Sequence, residues 1–110
     1  MKVLSALTAA QEAVSAQASR PATALLHDVP DARVVVFRIE PGQEVAPHTS
    51  SSTVVLSVVA GNGTVSGASG ESQVQPGDLV SYDTGELHGM RAGSETLVLM
   101  AIITPRPGAR

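Results

Sequence analysis

Two histidines, His48 and His88, are the residues of this 110-residue sequence that are best suited to chemistry. A neutral imidazole can accept a hydrogen bond, bind a divalent transition ion or exchange a proton near neutral pH. Ser50 lies two residues after His48 and Met90 two residues after His88, so each pair should face one side of its strand. His27 follows a short apolar run and is predicted to lie on the surface. Because the two histidines are far apart in sequence, their chemistry depends on a fold that brings them together.

Two imidazoles alone make an incomplete metal site, because zinc usually takes three protein ligands in catalytic sites and four in structural sites. An iron site of two histidines and one carboxylate would need an acid. Glu86 lies two residues before His88 and Glu44 four residues before His48, so either carboxylate could share a face with its histidine. Both acids lie in or near predicted turns, where the alternative is a solvated side chain. We retain Glu86 as a candidate metal ligand beside His48 and His88.

The composition excludes several classes of function. Without cysteine, the chain has no disulfide framework, thiolate metal site or cysteine nucleophile. The formal net charge is −3 and no basic cluster is present to neutralise phosphates, so no nucleic-acid partner is expected. No stretch approaches the ~20 apolar residues of a membrane span, so we expect no membrane partner and a cytoplasmic location. Phe37 and Tyr82 are the only aromatic residues, too few to stack sugars or bases on several rings.

A helix and a series of strands must position these residues. Apolar spacing predicts a helix over residues 4–18, which Arg20 and Pro21 end. From residue 22 the pattern changes to short runs rich in Val, Ile, Leu and Thr, separated by Gly, Pro, Asp and Asn. The predicted strands are residues 22–27, 33–40, 44–48, 53–60, 63–67, 71–75, 78–82, 87–91 and 95–103. Many strands without an intervening helical pattern indicate an all-β sandwich or barrel.

The chain has room for one domain. We predict an N-terminal helical segment over residues 1–20, a barrel over residues 21–104 and a flexible tail over residues 105–110. Two nearly continuous apolar runs, residues 34–37 and 97–103, predict strands that are covered on both faces. The helix has a thin apolar stripe that must dock on something, and open sheet edges promote aggregation, so we expect a homodimer.

The histidines and glycines fit two motifs of the cupin family. The first motif reads Gly, five residues, His, one residue, His, three or four residues, Glu, six residues, Gly. Gly42, His48 and Gly61 hold their expected positions in this sequence. Ser50 stands at the second His position and Val54 at the Glu position. Over this segment the chain resembles a cupin that lacks two of the usual metal ligands.

The second motif reads Gly, five residues, Pro, one residue, Gly, two residues, His, three residues, Asn. Gly77, Gly85 and His88 hold their positions, with Asp83 and Ala92 in place of Pro and Asn. The resemblance covers about residues 33 to 103. It implies an all-β fold, the double-stranded β-helix or jelly-roll barrel of the cupins, here with a short N-terminal helix.

The resemblance also implies a site inside the barrel. Metal-bearing cupins bring three histidines and a glutamate together there, and of this set only two histidines remain. We predict a ligand pocket lined by five residues: His48, Ser50, Tyr82, His88 and Met90. For Tyr82, whose hydroxyl would lie at the pocket mouth, packing is the alternative role.

Two functional hypotheses follow, neither of which assigns a catalytic residue. The first is a stand-alone cupin that binds a small organic molecule, with a divalent transition metal (Zn, Ni, Fe or Mn) held weakly at low occupancy by His48 and His88. The alternative is a metal-dependent cupin enzyme, dioxygenase- or isomerase-like, whose reduced ligand set is completed by water or substrate. Acid–base chemistry without a cofactor is a third hypothesis, which needs a carboxylate to orient an imidazole.

Overall fold

A computed structural model describes residues 1–108 of the chain. Within these residues a short helix is followed by strands that hydrogen-bond in antiparallel pairs. The elements are α1 (Ala6–Glu12), β1 (Ala22–Val29), β2 (Ala32–Ile39), β3 (Glu44–His48), β4 (Thr53–Ala60), β5 (Gly63–Gly67), β6 (Gly70–Val74), β7 (Leu79–Tyr82), β8 (His88–Ala92) and β9 (Leu97–Thr104). No helix of the described chain has the length and apolar character that spanning a membrane requires.

The strands form two sheets. One has five strands in the order β1-β2-β9-β4-β7, and the other has four strands in the order β3-β8-β5-β6. Strands distant in sequence are neighbours in both sheets: β2 and β4 flank β9, and β3 and β5 flank β8. The predicted all-β double-stranded β-helix with a short N-terminal helix is confirmed.

The core lies between the two sheets. Along β4 buried side chains alternate with less buried ones, and the inward series is Val54, Leu56 and Val58. These residues pack with Leu99 of β9 and with Met90 of the four-stranded sheet. Period-2 alternation therefore positions one face of each strand in the core, as the strand pattern predicts.

The outer face of the five-stranded sheet is covered by α1. Val36 of β2 and Val98 of β9 pack against Ala10 of the helix, and all three side chains are buried. Residues of the opposite parity on these strands face the other sheet. This double cover explains why the runs 34–37 and 97–103 are almost continuously apolar.

The helix is shorter than the predicted range of residues 4–18. Ser5 is its N-cap, and the Ser5 hydroxyl accepts a hydrogen bond from the Thr8 amide at 3.2 Å. The backbone of Ala13 is extended, which ends the helix at Glu12. The prediction is therefore wrong beyond Glu12. An apolar stripe maintains a short helix only where a surface is present to receive it.

Arg38 binds the C-terminal end of α1 from the adjacent sheet. Its guanidinium donates hydrogen bonds to the carbonyl groups of Ala10 and Ala13, the latter at 2.9 Å. Its Nε donates to the Glu40 carboxylate at 3.1 Å. Carbonyl groups in the last turn of a helix have no intrahelical partner, and positive charge at this end is favourable. Arg38 therefore couples the helix to β2.

Replacing Arg38 by methionine should weaken this docking. Loss of the guanidinium leaves helix carbonyl groups without their donors, and we expect a loss of about 1.5 kcal/mol in the free energy of unfolding. Hydrogen exchange at the Ala9 and Ala13 amides should accelerate more than exchange in β9. Arg91→Met is the matched control, because the Arg91–Glu71 ion pair is exposed and should contribute little. Equal effects of the two substitutions on exchange in α1 would contradict this role for Arg38.

The segment predicted as a flexible tail, residues 105–110, begins with residues that contact the barrel. The Ser52 hydroxyl donates to the Pro105 carbonyl at 2.6 Å, and the Arg106 amide donates to the Pro30 carbonyl at 3.2 Å. Residues 109 and 110 lie outside the described residues.

Candidate functional site

A cavity of about 350 Å³ is formed by residues of both sheets and of the C-terminal segment. Its lining combines an apolar majority with two imidazoles and three hydroxyl groups. The lining residues are Phe37, His48, Thr49, Ser50, Ser51, Val54, Leu56, His88, Met90, Ala101, Ile103 and Pro107. None of them carries a formal charge at neutral pH when the histidines are neutral. A larger, polar concavity of about 410 Å³ adjoins Asn62 and Gly93, at the opposite end of β5 and β8, and contains no histidine.

His48 and His88 lie side by side in this cavity. They are directly opposite each other in the antiparallel pairing of β3 with β8. Their ring centroids are 4.3 Å apart, and the ring planes are inclined by 56°. The register of two strands thus brings together two histidines that are distant in sequence. Their burial differs: His48 is exposed, whereas only 3% of His88 is accessible.

Each imidazole is oriented by a carbonyl group of its own chain segment. His48 Nδ1 lies 3.1 Å from the Ala46 carbonyl oxygen, and His88 Nδ1 lies 2.9 Å from the Glu86 carbonyl oxygen. A carbonyl only accepts hydrogen bonds, so Nδ1 carries the proton in the neutral ring. Nε2 then keeps its lone pair. Both histidines therefore offer an Nε2 atom that can accept a hydrogen bond or bind an ion.

Tyr82 lies behind His88 and does not line the cavity. Its ring stacks on the imidazole with centroids 4.7 Å apart and an interplanar angle of 28°. The phenol hydroxyl is buried and has no hydrogen-bond partner among the described residues. Burial, and to a lesser extent the negative charge of Glu86, raises the pKa of Tyr82. Tyr82 is thus a neutral packing partner that fixes the ring of His88.

Ser50 and Met90 both line the cavity. The Ser50 hydroxyl accepts a hydrogen bond from the Ser52 amide at 3.1 Å. The Ser50 carbonyl accepts another from the Gly85 amide at 2.8 Å. This second bond joins the segment after β3 to the loop before β8, so it holds the surroundings of the two histidines together.

Comparison with known proteins identifies the family. The family model described as the cupin domain matches residues 35–103, which is most of the chain. The chain belongs to the cupin family. No curated protein sequence matches it.

Solved structures agree with this assignment. An uncharacterised protein with a double-stranded β-helix domain from Klebsiella pneumoniae is 23% identical, with a TM-score of 0.83 over 100% of this chain and 94% of the other. An RmlC-like cupin from Desulfovibrio desulfuricans is 24% identical, with a TM-score of 0.74 over 86% and 91%. A predicted oxalate decarboxylase from Thermotoga maritima is 22% identical, with a TM-score of 0.73 over 77% and 80%. At these identities the likeness concerns the fold.

Residues that the motifs did not indicate form much of the cavity wall of this cupin. Phe37, Leu56 and Ile103 share the inward parity of their strands, so the alternation pattern contained the signal for them. Thr49, Ser51 and Pro107 lie outside regular strands, where no periodicity indicates direction. Val54, at the position of the family glutamate, is part of the wall and is 4% exposed.

Both carboxylate oxygens of Glu86 accept hydrogen bonds from backbone amides. One oxygen accepts from the Ala68 amide at 2.8 Å, and the other accepts from the Asp83 amide at 2.9 Å. The bond from Ala68 joins the loop before His88 to the turn between β5 and β6, and the bond from Asp83 lies within that loop. Glu44, the other acid considered from the sequence, is exposed on β3 and lies opposite Arg91 of β8.

The donor set does not fit the metal centre that cupins commonly hold. Among residues 1–108 no group of three or more His, Cys, Asp or Glu side chains is placed to bind one ion. His48 and His88 supply two nitrogen donors, and Ser50 supplies a neutral hydroxyl. Val54 supplies no donor at all. Divalent transition ions usually need three or four protein ligands.

Glu86 should make the stability of this cupin sensitive to acid. Hydrogen bonds from the Ala68 amide first, and the Asp83 amide second, lower the pKa of Glu86. A depressed folded-state pKa contributes stability above the unfolded-state pKa, and this contribution is lost as the pH falls through the folded-state pKa. In Glu86→Gln, the urea midpoint should therefore fall less than in the wild type between about pH 6 and pH 3. Equal decreases in the two proteins would contradict the assignment.

Proposed function

We propose that this cupin binds a small organic molecule in the barrel cavity through His48 and His88. One observation carries the proposal: two imidazoles whose Nε2 atoms accept no hydrogen bond from the described residues lie in a wall that is otherwise apolar or hydroxylated, and among residues 1–108 this wall carries no carboxylate, ammonium or guanidinium group. Small-molecule sites are typically concave and apolar with a few convergent polar groups. The proposal assigns recognition to the cavity and no catalytic step.

The lining indicates the chemistry of the ligand. The Nε2 atoms are acceptors, so the ligand should carry hydroxyl or N–H donors. Phe37, Leu56 and Ile103 offer apolar contact to its body. A formal charge on the ligand would find no opposite charge among the described lining residues and would be desolvated without compensation. With about 350 Å³ available, near the lower limit for ligand pockets, the ligand is a small uncharged molecule with an apolar body.

A thermal-shift screen with uncharged phenols, alcohols and lactams tests the proposal. Compounds that fit should raise the melting temperature, and titration calorimetry should then give a Kd. His48→Ala should weaken binding about tenfold by removing one acceptor. His27→Ala is the matched control, because His27 is exposed on β1 and does not line the cavity. Equal loss of affinity in both variants, or no stabilising compound, would overturn the proposal.

A second candidate function is metal-dependent catalysis with a reduced ligand set. The observation that favours it is the anchoring of both Nδ1 atoms on carbonyl groups, the arrangement that orients metal-binding histidines. We rank this function second because the described residues supply no third metal ligand beside the two histidines. Elemental analysis of untagged protein decides between the two: less than about a tenth of an equivalent of Zn, Ni, Fe or Mn supports binding without metal. A full equivalent that His48→Ala abolishes supports the metal enzyme.

We also propose a homodimer in the cytoplasm. Leu7 on α1 and Val14 after it are exposed apolar residues at 46% and 86%, and α1 itself packs on the outer face of the five-stranded sheet. A second copy would cover them. The absence of cysteine suits a reducing compartment. Sedimentation equilibrium at micromolar concentration should give twice the 11.2 kDa chain mass, and the chain mass itself would contradict the dimer.

A further inference from the structure

The chain after β9 forms part of the cavity wall. Residues 105–108, which we call the C-terminal strap, follow directly from the end of β9. Pro107 is exposed to solvent and also lines the cavity that contains His48 and His88. A residue that meets both solvent and cavity lies at the mouth. The strap thus borders the route by which a molecule would reach the buried His88.

Ser52 attaches the strap to the barrel through a hydrogen bond. Only 2% of Ser52 is exposed, although serine is usually a surface residue. Its hydroxyl donates to the Pro105 carbonyl at 2.6 Å. Ser52 does not line the cavity itself, and its amide donates to the hydroxyl of Ser50, which does. The buried Ser52 therefore links the strap to Ser50, which is part of the cavity wall.

Two weaker contacts hold the strap from the side of β1. The Arg106 amide donates to the Pro30 carbonyl at 3.2 Å. The Arg106 Nε lies 3.5 Å from the Asp28 carboxylate, which also pairs with Arg33 at 3.2 Å. The Arg106 side chain is 41% exposed overall, but its Nε is buried and makes no hydrogen bond with the described residues, so this long ion pair is a weak contact.

The strap is held by a few polar contacts and not by a buried apolar anchor. Pro107 and Gly108 are exposed, and no strap residue belongs to either hydrophobic cluster. Segments with few buried apolar contacts open at low free energy, without unfolding of the domain. We propose that residues 105–108 are a movable wall of the cavity, and that Ser52 is the positioning residue that holds this wall closed over the route to His88.

Chemical labelling of the histidines measures this opening without any ligand, so its result does not depend on the proposed binding function. Diethyl pyrocarbonate acylates a neutral imidazole nitrogen, and Nδ1 of His88 is blocked by the Glu86 carbonyl. Labelling of His88 therefore requires access to Nε2. His27, which is exposed, provides an internal reference within the same molecule. Cleavage after glutamate places the three histidines in separate peptides for mass spectrometry, residues 13–40, 45–71 and 87–95.

Removing the Ser52 hydroxyl should favour the open strap. We expect Ser52→Ala to raise the ratio of the His88 to the His27 labelling rate about fivefold, the effect of one lost hydrogen bond. Ser81→Ala makes the same chemical change at an exposed position of β7 and should leave the ratio unchanged. Val36→Ala, buried under α1, should lower global stability and also leave the ratio unchanged, provided that labelling is done far below the melting temperature.

A second strap variant keeps the proposal testable if Ser52→Ala does not fold. Asp28→Asn removes the ion pair of Arg106 at an exposed position and should raise the His88 labelling rate about twofold; this rate is compared directly with that of the wild type, because the substituted residue is adjacent to the reference His27. An unchanged His88 labelling rate in Asp28→Asn would overturn the proposal, as would an unchanged ratio in Ser52→Ala where that variant folds. A rise of the same size in Val36→Ala would also overturn it, because labelling would then report global unfolding and not movement of the strap.

Discussion

Gly61→Ala should destabilise this cupin more than alanine at any of the other three motif glycines, and should prevent stable folding at 37 °C. A Cβ atom at Gly61 would lie 1.7 Å from the carbonyl oxygen of Thr96 and 2.7 Å from its carbonyl carbon. Both are backbone atoms just before β9, and they cannot rotate away as a side chain can. The φ angle of +79° adds the strain of a left-handed backbone. We expect a loss of more than about 4 kcal/mol in the free energy of unfolding.

Gly42→Ala separates the two causes of this destabilisation, the clash with the Thr96 backbone and the positive φ angle. Gly42 has a φ of +88°, nearly that of Gly61, yet a Cβ atom there would meet no atom within 4 Å. Gly42→Ala should therefore lose only about 1 kcal/mol in the free energy of unfolding, the cost of a left-handed backbone at a residue with a Cβ atom. Urea unfolding of the two variants measures the difference directly. If they were destabilised equally, the close approach of the chain at Gly61 would not be the reason for its glycine.

The strand pattern predicted the fold because alternation, turn glycines and the absence of a second helical pattern all indicate the same architecture. The three inward residues of β4 are read directly from the sequence, since period 2 forces them onto one face. The end of α1 could not be read in this way. The carbonyl groups at this end are bound by Arg38, which is distant in sequence, so spacing within the helix does not reveal the contact.

In the candidate site, strand register determines which residues of distant segments meet. His48 and His88 occupy motif positions, and the pairing of β3 with β8 places them opposite each other. The role of Tyr82 depends on stacking across the sheets, which spacing along the chain does not encode. Pro107 reaches the cavity from an irregular segment, where no periodicity relates sequence to direction.

Val54→Glu should convert the histidine pair into a metal site. Val54 is buried and lines the same cavity as His48 and His88. A carboxylate there would complete a set of two histidines and one acid, which suits divalent transition ions. In EDTA the uncompensated carboxylate should reduce the free energy of unfolding by about 3 kcal/mol. Added Zn²⁺ should then restore about 2.7 kcal/mol once its concentration reaches 100 times the Kd.

Val54→Gln is the matched control. Glutamine has nearly the same shape as glutamate, so it buries a polar group of the same size but supplies no anionic ligand. It should be destabilised in EDTA and gain little from Zn²⁺, and His48→Ala combined with Val54→Glu should lose the rescue as well. Melting temperatures of these three variants and of the wild type, with and without Zn²⁺, test this. If Zn²⁺ stabilised the wild type as strongly as Val54→Glu, the missing carboxylate would not be what prevents metal binding. Rescue confined to Val54→Glu would instead show that valine at this one position separates a binding pocket from a metal centre, because the histidines and their carbonyl anchors are already in place.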